Sequence, residues 1–441
     1  MREFIPEYVL NLLKTLESAG YEAWCVGGCV RDTLLGRTPG DWDVTTNALP
    51  EETMAVFGDS ALPTGLQHGT VSVRTPGGTV EVTTYRLDGT YTDHRRPDSV
   101  TFTPSLEEDL RRRDFTVNAM AMNLRGDLRD PFGGRTDLEN RCLRCVGEAE
   151  QRFREDALRI LRGLRFASVL GFAIEPETAA AIHRHRGLLA DIAAERIWVE
   201  LLKLLEGEAC VAVLREFVDV LGVFWPEVLP MVGMDQKNYH HCYDVWEHTL
   251  HAVDAVKVDS LLRCVALLHD IGKTKTMTLD ADGVGHFYGH PAKSEELAEG
   301  MLRRLKCSNA FRERALRLIA WHDRELWPTG KSLSRALRVL GEEDLRNLLD
   351  IKRADNRGQA EAFWGYQRDI DELEAALDAL LAEEVCFSLK QLAVNGRDMM
   401  ALGLEGAAVG EALNALLEAV LDGTLPNEKT ALLAAAEGMK G

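Results

Sequence analysis

A strand, a glycine turn and a helix in immediate succession restrict the fold of this chain more than any other feature of its sequence. Residues 23–26 are apolar as in a strand, the Gly27-Gly28 pair predicts a tight turn, and residues 30–35 continue as a helix that Gly36 ends. A helix that begins at such a turn presents free backbone N–H groups and the positive end of its dipole, which favours a phosphate. A bare Gly-Gly pair is also typical of an ordinary turn.

Two aspartates follow this helix with one residue between them. In Gly40-Asp41-Trp42-Asp43-Val44, a strand would place Asp41 and Asp43 on one face and the apolar residues on the other. Two carboxylates on one face repel each other unless a cation lies between them, and Mg²⁺ prefers such hard oxygen ligands. Two solvated acids on an edge strand give the same pattern, but the glycine turn upstream favours a magnesium site.

The composition excludes several classes of protein. The chain has 441 residues, 46% of them apolar, which is enough for a large core and for two to four domains. No apolar run approaches the ~20 residues of a membrane span, and the first residues lack the layout of a signal peptide, so no membrane partner is expected. Nine cysteines, an odd number, favour reduced thiols and a cytoplasmic location over a disulfide framework.

The charge is unevenly distributed. A net charge of −19 argues against broad binding of nucleic acid, because phosphates are held by Lys and Arg. Residues 91–170 nevertheless contain 15 Lys and Arg against 14 Asp and Glu, whereas residues 361–441 contain 5 against 15. Any phosphate-binding surface is therefore expected to be local and built from arginines.

Changes of pattern divide the chain into four predicted domains. The first part mixes short strand patterns with Gly and Pro, including a predicted hairpin around Pro76-Gly77-Gly78, whereas helical periodicity dominates afterwards. This predicts an α+β fold class, with a mixed sheet and helices in the head and all-helical domains behind it. The predicted domains are a head at 1–145, a helical neck at 146–235, a His- and Asp-rich domain at 236–360 and an acidic helical tail at 361–441.

Two arginine-rich segments stand out, Arg111 to Asp114 and Arg154 to Arg165. On pattern alone, the first is typical of a solvated helix start and the second of an ion-paired surface helix, with Asp156 and Arg159 one turn apart. Base chemistry offers an alternative, because cytosine and adenine both present an amino donor beside a ring-nitrogen acceptor. An aspartate that accepts and an arginine that donates suit both bases, and such a bidentate contact discriminates by about 1–3 kcal/mol.

In this order, the motifs resemble the active-site signature of the class II CCA-adding tRNA nucleotidyltransferases and the related bacterial poly(A) polymerases, in the polymerase-β-like superfamily. The matching segments are Gly27-Gly28-x-Val30-Arg31-Asp32, Leu35-Gly36-Arg37, Asp41-x-Asp43, Arg112-Arg113-Asp114-Phe115-Thr116-x-Asn118-Ala119 and Glu155-Asp156-x-x-Arg159. The resemblance implies a polymerase-β-like head in which Asp41 and Asp43 bind Mg²⁺ ions. These ions would activate a terminal 3′-hydroxyl and neutralise a triphosphate.

The resemblance also implies contacts to the nucleotide. The residues concerned are Gly28, Arg31, Arg113, Asp156, Arg159, Arg162 and Arg165. Within this set, Asp156 and Arg159 would select the base, and Arg162 and Arg165 would contact the triphosphate or nucleotide. Glu81 is a candidate third carboxylate, although an exposed strand glutamate is an equal interpretation. Residues 91–98 are similar to a flexible loop of full CCA-adding members, which favours A addition as well as C addition.

A second metal site is predicted further along the chain. His248 lies on an amphipathic helical pattern, and a later apolar run ends in His269-Asp270. A buried His-Asp pair is costly unless its polar atoms are satisfied, and a cation bound by both would satisfy them. The pattern resembles the HD phosphohydrolase superfamily, which implies His248, His269 and Asp270 as ligands with a distal aspartate, for which Asp355 is chosen over Asp350.

The metal implied for this second site is Mn²⁺, Ni²⁺, Fe²⁺ or Mg²⁺, which would activate water toward 2′,3′-cyclic or terminal phosphates. His290 and His322 are either further ligands, phosphate contacts or ordinary core residues. The tail around residues 392–410 resembles the family's C-terminal body or tail domain, where the tRNA elbow is bound.

The resemblance as a whole implies a tRNA nucleotidyltransferase that builds or repairs the 3′-terminal CCA, with tRNA, CTP and ATP as partners. A bacterial poly(A) polymerase and an A-adding-only enzyme are the nearest alternatives. An HD phosphohydrolase whose head is a non-catalytic RNA-binding module is a third. The sequence indicates no oligomeric state.

Overall fold

The structure of the protein is a computed structural model that describes residues 2–89, 100–382 and 386–438. The segment 91–98, which the sequence predicts to be a flexible loop, lies outside the described residues. The chain divides into two compact units, residues 1–229 with 304–306 and residues 230–303 with 307–441. The finer division into four domains stays a prediction.

The first unit contains the principal sheet. Its strands among the described residues are β1 (Ala23–Val26), β2 (Asp43–Thr46), β3 (Ala61–Gly65), β4 (Thr70–Thr75), β5 (Gly78–Thr84), β6 (Arg86–Asp88), β7 (Val100–Phe102), β8 (Ala121–Met122), β9 (Leu128–Arg129), β10 (Cys142–Leu143) and β11 (Ala173–Ile174). Seven of them form one sheet in the order β3-β4-β5-β2-β1-β8-β9. Only the β2–β5 pair in this sheet is parallel. The sheet is therefore mixed, as predicted.

Helices flank this sheet and continue beyond it. They are α1 (Glu7–Ser18), α2 (Gly28–Leu34), α3 (Pro50–Phe57), α4 (Leu106–Arg111), α5 (Gly134–Glu139), α6 (Ala149–Glu155), α7 (Leu158–Leu170), α8 (Pro176–His185), α9 (Ala194–Leu205), α10 (Cys210–Glu216) and α11 (Val218–Phe224). The α7 helix buries an apolar stripe that includes Ile160, Leu161 and Leu164. It ends at Gly171, whose φ of 69° is the left-handed conformation common after helices.

The second unit is almost entirely helical. Its elements are α12 (Val245–Ala255), α13 (Ser260–Leu268), α14 (Lys273–Thr276), α15 (His290–Arg304), α16 (Asn309–Trp321), α17 (Gly330–Arg357), α18 (Tyr366–Ala382), α19 (Gly396–Ala401), α20 (Ala407–Leu421) and α21 (Lys429–Glu437), with a short ribbon of β12 (Thr278–Leu279) and β13 (Gly285–His286). The α17 helix is kinked at Gly341. A mixed-sheet head followed by helical regions confirms the predicted fold class. No helix in the described part of the chain has the length and apolarity to cross a bilayer.

The structure corrects two predicted elements of the first unit. The β2 strand begins only at Asp43, so the prediction that one strand carries both aspartates is wrong, and Asp41 lies in the bend before it. The run from Arg154 to Arg165 is not one helix, because Asp156 has φ −135° and ψ 104° and separates α6 from α7. Its Oδ1 accepts a hydrogen bond from the Leu158 N–H at 3.1 Å, which satisfies a free donor at the start of α7.

Candidate active site and metal centre

The glycine turn places two guanidinium groups beside the start of α2. Gly27 has a φ of +81°, which only glycine adopts readily, and a Cβ built there would lie 3.3 Å from Nη1 of Arg113. A Cβ at Gly28 would lie 3.6 Å from Nη2 of Arg31. The absence of side chains at the turn thus lets both arginines approach the backbone at a helix N-terminus.

Three carboxylates lie close together at the start of β2. The parallel register places Asp43 opposite Glu81 on β5, and Asp41 is two residues away. Surrounding protein atoms that displace water raise the pKa of Asp43; Arg113 lowers it, whereas Glu81 and Asp41 raise it further. A cation that neutralises this repulsion fits the donor set, because carboxylate oxygens are the ligands that Mg²⁺ prefers.

Asp109, which belongs to none of the sequence motifs, anchors Arg113. Its buried carboxylate accepts hydrogen bonds from Arg112 at 2.8 Å and from Arg113 at 3.2 Å. Burial alone would raise the pKa of Asp109, but the two guanidinium groups hold it below its usual value. Its spacing of three and four residues from these arginines on a helical turn is the signal that could have revealed it.

A hydrogen-bonded chain joins α2 to α7 through the segment after α4. Arg31 donates to Asn118 at 2.8 Å, Asn118 donates to Asp114 at 3.3 Å, and Arg162 donates to the other oxygen of Asp114 at 2.8 Å. Although burial opposes the shift, the Arg162 guanidinium lowers the pKa of Asp114 to about 2. Asp114 therefore stays ionised and fixes Arg162 relative to the glycine turn.

Three of the arginines predicted to contact the nucleotide pack around the ring of Phe166. The guanidinium carbons of Arg31, Arg162 and Arg165 lie 5.2, 5.3 and 4.1 Å from the centre of its ring. Arg165 is also paired with Glu200 at 2.8 Å, and burial lowers its pKa. Cation–π contacts of this kind hold guanidinium groups close together despite their mutual repulsion. The ring of Phe166 thus brings together guanidinium groups from two helices, α2 and α7.

The side chains of Asp156 and Arg159, which were predicted to select the base, have different partners, although the Arg159 N–H donates to the Asp156 carbonyl at 3.0 Å. Asp156 lies 3.5 Å from Arg196, whereas Arg159 donates to Glu155 at 2.7 Å and to the backbone carbonyl of Arg112 at 2.9 Å. Burial raises the pKa of Asp156, and Arg196 opposes this rise. Arg196 was missed because it lies on α9, forty residues along the chain from Asp156.

The second unit assembles the predicted HD residues at one point. Nε2 of His248 lies 3.1 Å from Asp270 and 2.9 Å from Asp355, and Nε2 of His269 lies 3.3 Å from each of them. Although burial opposes the shift, His269 and Lys273 hold the pKa of Asp270 well below its usual range. The structure brings all four predicted ligands together and places both carboxylates in the ionised form that a cation requires.

His290 and His322 extend this cluster on the other side of Asp270. Oδ1 of Asp270 lies 3.3 Å from Nε2 of His290 and 3.8 Å from Nε2 of His322, whereas its Oδ2 faces His248 and His269. Two groups with metal-ligand spacing therefore share one aspartate, and each group uses a different oxygen.

The tautomers of these histidines favour a cation. Each of the four imidazoles has its Nδ1 2.7–3.0 Å from a backbone carbonyl, those of Gly358, Ala266, Phe287 and Ile319. A carbonyl only accepts, so Nδ1 carries the proton and each ring turns its Nε2 toward the cluster. Although burial opposes the shift, Asp270 and Asp355 raise the pKa of His248 and raise that of His269 to about 10, so a metal bound at these two Nε2 atoms would replace a proton. Two such atoms, on His290 and His322, lie only 3.1 Å apart. The lone pairs repel unless a cation lies near them, so the donor set fits a divalent metal.

Asp350, the alternative to Asp355 considered from the sequence, has a different role. Its carboxylate pairs with Lys257 at 2.7 Å and lies 3.6 Å from Arg353. Asp355, five residues later on α17, instead faces His248 and His269. A cavity of about 310 Å³ opens onto the cluster and is lined by Asp270, Asp355 and the two further histidines, among others.

Three segments of the chain match known protein families. Residues 23–144 match the family described as "Poly A polymerase head domain" and residues 171–224 match "Probable RNA and SrmB- binding site of polymerase A". Residues 290–436 match "tRNA nucleotidyltransferase domain 2 putative". These matches cover both units, and the first contains the glycine turn and the carboxylates.

Individual relatives extend this similarity to the whole chain. The CCA-adding enzyme of Geobacillus stearothermophilus is 54% identical over 198 residues, 45% of this chain and about half (49%) of that relative. A crystal structure of the Bacillus stearothermophilus CCA-adding enzyme in complex with CTP superimposes with a TM-score of 0.74 and 34% identity, over 98% of this chain and 97% of that one. The CCA-adding enzyme of Levilactobacillus brevis is 36% identical over 98% of both chains. This chain therefore belongs to the family of CCA-adding enzymes, which are nucleotidyltransferases.

Proposed function

We propose that the first unit adds the nucleotides of the 3′-terminal CCA to tRNA from CTP and ATP. The grouping of Asp41, Asp43 and Glu81 beside the Gly28 turn and its arginines is the observation that supports this function most directly. Relatives whose structures were determined with CTP, with ATP and with a tRNA ending in CCA are consistent with these substrates. Nine free cysteines support a cytoplasmic location, where tRNA is processed.

We assign the residues of this site different roles in nucleotidyl transfer. Asp41 and Asp43, with Glu81 as a third carboxylate, would hold two Mg²⁺ ions, whose positive charge would activate the attacking 3′-hydroxyl and stabilise charge on the α-phosphate. The backbone at Gly28 and the side chains of Arg31 and Arg113 would bind phosphate oxygens. Arg162 and Arg165, held against the ring of Phe166, would add positive charge along the triphosphate.

Transcripts of tRNA test this function directly. The protein is incubated with Mg²⁺ and transcripts that lack CCA, end in C or end in CC, with CTP and ATP offered singly and together. Addition of two C residues and one A, followed by a halt, is the expected result. Addition of A to the CC-ending transcript alone would identify an A-adding enzyme, and long A tails would identify a poly(A) polymerase. An absence of incorporation would overturn the proposal and favour a hydrolase with a non-catalytic head.

Asp156 and Arg159 would select the base without a nucleic-acid template. The Asp156 carboxylate accepts from the amino group shared by cytosine and adenine, and the Arg159 guanidinium donates to the neighbouring ring nitrogen. For this contact Arg159 exchanges its bond to Glu155 for one to the base. Arg196, 3.5 Å from Asp156, would keep the carboxylate ionised and oriented while a base is bound.

An Asp156→Asn substitution should relax this selection. The amide keeps the size of the carboxylate but also offers N–H donors, which a uracil carbonyl accepts. We expect the ratio of kcat/KM for CTP to that for UTP to fall about 5- to 150-fold, the range expected for one bidentate contact. Single-nucleotide incorporation into a transcript that lacks CCA measures it. Asp127→Asn, at an exposed turn of the same unit, is the matched control, and an unchanged ratio in Asp156→Asn would remove the residue from base selection.

We also propose that the second unit hydrolyses 2′,3′-cyclic or terminal phosphates on RNA ends. Four imidazole Nε2 atoms and two carboxylates form two ligand groups that share Asp270, which is the specific observation in favour of this second function. His248, His269, Asp270 and Asp355 would hold a divalent transition metal or Mg²⁺, with a second position between Asp270, His290 and His322. The metal would activate water for attack on phosphorus. Such hydrolysis would prepare damaged tRNA ends for nucleotide addition.

A further inference from the structure

An exposed aromatic ring lies at the edge of the cavity that opens onto the HD cluster. Tyr288 is 78% exposed, although a large aromatic side chain gains free energy when it is buried. It lines the same cavity as Asp270, His290 and His322, and is only two residues from His290 in the chain. An exposed apolar surface beside a polar cavity lined by candidate metal ligands suits a ligand that is apolar at one end and charged at the other.

The structure holds this ring in one orientation. Tyr288 stacks on His286, with ring centres 5.4 Å apart and an angle of 5° between the planes. His286 is the last residue of β13 and pairs with Thr278 on β12. Its Nε2 lies 2.9 Å from the carboxylate of Asp280. The inner face of Tyr288 is thus covered by a fixed imidazole. Its outer face is a flat surface that is already ordered in the folded protein. A ligand that stacks on it therefore loses little further side-chain entropy, as in sites that stack nucleobases.

We propose that Tyr288 stacks on the base of a nucleoside phosphate whose phosphate lies at the HD cluster. This inference rests on the proposed phosphohydrolase function and names its substrate class: the terminal nucleotide of an RNA, in preference to phosphoesters without a base. Stacking tolerates every base, because each has a π-face. The site would therefore accept any 3′-terminal nucleoside, which suits an enzyme that meets tRNA ends broken at different positions.

Binding of hydrolysis products tests the inference without any catalytic step. The full chain is loaded with Ni²⁺ or Mn²⁺, and dissociation constants are measured for adenosine 2′-phosphate and for ribose 2-phosphate, which lacks the base. Binding of either compound that persists in the Asp270→Ala variant takes place at other sites, and this background is subtracted from the binding curves of the other variants. We expect Tyr288→Ala to weaken the adenosine compound about 5- to 150-fold, the range for one stacked base, and to leave ribose phosphate within twofold. Tyr288→Trp should keep the affinity.

Tyr239 provides the matched control. It is 72% exposed and lies against another imidazole, that of His240, with ring centres 4.3 Å apart, but it does not line the cavity. Tyr239→Ala should leave both dissociation constants unchanged. Equal weakening by the two alanine variants, or equal loss of both ligands in Tyr288→Ala, would overturn the stacking role.

The experiments distinguish failure of the base-stacking role of Tyr288 from failure of the proposed hydrolase function. If the wild-type protein binds adenosine 2′-phosphate through Tyr288 but does not hydrolyse adenosine 2′,3′-cyclic phosphate, the hydrolase function fails and the base-binding site stands. If hydrolysis occurs and Tyr288→Ala changes neither KM nor the dissociation constant, the base-binding site is overturned and the hydrolase stands. The absence of any preference of the wild-type protein for the adenosine compound over ribose phosphate would also overturn it.

Discussion

Asp43→Asn should nearly abolish nucleotide incorporation at the first unit, with kcat reduced on the order of 10³-fold, the loss typical when one group that stabilises transition-state charge is removed. The amide has the shape of the carboxylate but not its negative charge. The remaining carboxylates, Asp41 and Glu81, would hold Mg²⁺ less tightly. With less bound Mg²⁺, the negative charge of the triphosphate would be less neutralised and would repel the attacking oxygen more strongly.

Incorporation of labelled CTP into a transcript that lacks CCA measures this effect over a range of Mg²⁺ concentrations. The dissociation constant for tRNA should stay within about twofold, because no RNA contact is removed. Asp59→Asn removes one negative charge from an exposed position of the same unit and should incorporate CTP at the wild-type rate. A rate in Asp43→Asn within tenfold of the wild-type protein would contradict the assignment of Asp43 as a metal ligand.

Asp270→Ala should eliminate hydrolysis of adenosine 2′,3′-cyclic phosphate by the second unit. Asp270 is the one carboxylate shared by both ligand groups, so its removal affects every proposed metal position at once. The substitution also leaves the buried ammonium of Lys273 without the carboxylate that lies 2.7 Å away, and breaking a buried pair costs about 3–5 kcal/mol. A fall in the melting temperature is therefore expected beside the loss of activity.

A second pair of variants separates loss of activity from loss of folding. Asp355→Asn alters a proposed ligand that is about a quarter exposed and that forms no ion pair with a lysine or arginine in the described part of the chain, whereas Asp350→Asn changes the same residue type five positions earlier on α17. We expect Asp355→Asn to lose metal and hydrolysis with little change in melting temperature, and Asp350→Asn to keep both. Hydrolysis by Asp270→Ala and the wild-type protein at equal rates would show that the cluster is not a hydrolase.

Local patterns allowed much of the fold and of both sites to be predicted. The strand at residues 23–26, the hairpin around Pro76-Gly77-Gly78 and the helix that carries His248 are set by composition and turn chemistry within about ten residues. Of the two aspartates weighed as the distal ligand implied by the resemblance, Asp355 faces His248 and His269 and Asp350 does not. The roles of these residues in catalysis stay predictions.

Contacts between distant segments could not be derived in this way. No sequence pattern pointed to Phe166, and only the fold places Arg31 against its ring. Arg196 meets Asp156 only because α9 packs beside α7. The break at Asp156 was also missed, because no glycine or proline stands there and the glycine of the run, Gly163, lies inside α7. The aspartate itself accepts a hydrogen bond from the first N–H of α7, an arrangement typical of residues that precede a helix.

The two oxygens of Asp270 face different pairs of histidines, and this makes the two ligand groups of the HD cluster interdependent. An ion that binds one oxygen fixes the rotation of the whole carboxylate and so presents the other oxygen to the second group already oriented. A first ion also repels a second one across a single carboxylate. Whichever effect is larger, the affinity at each position depends on the occupancy of the other, and by thermodynamic linkage the dependence is reciprocal. We therefore expect metal loading at these two positions to be cooperative, positively or negatively, rather than the sum of two independent isotherms.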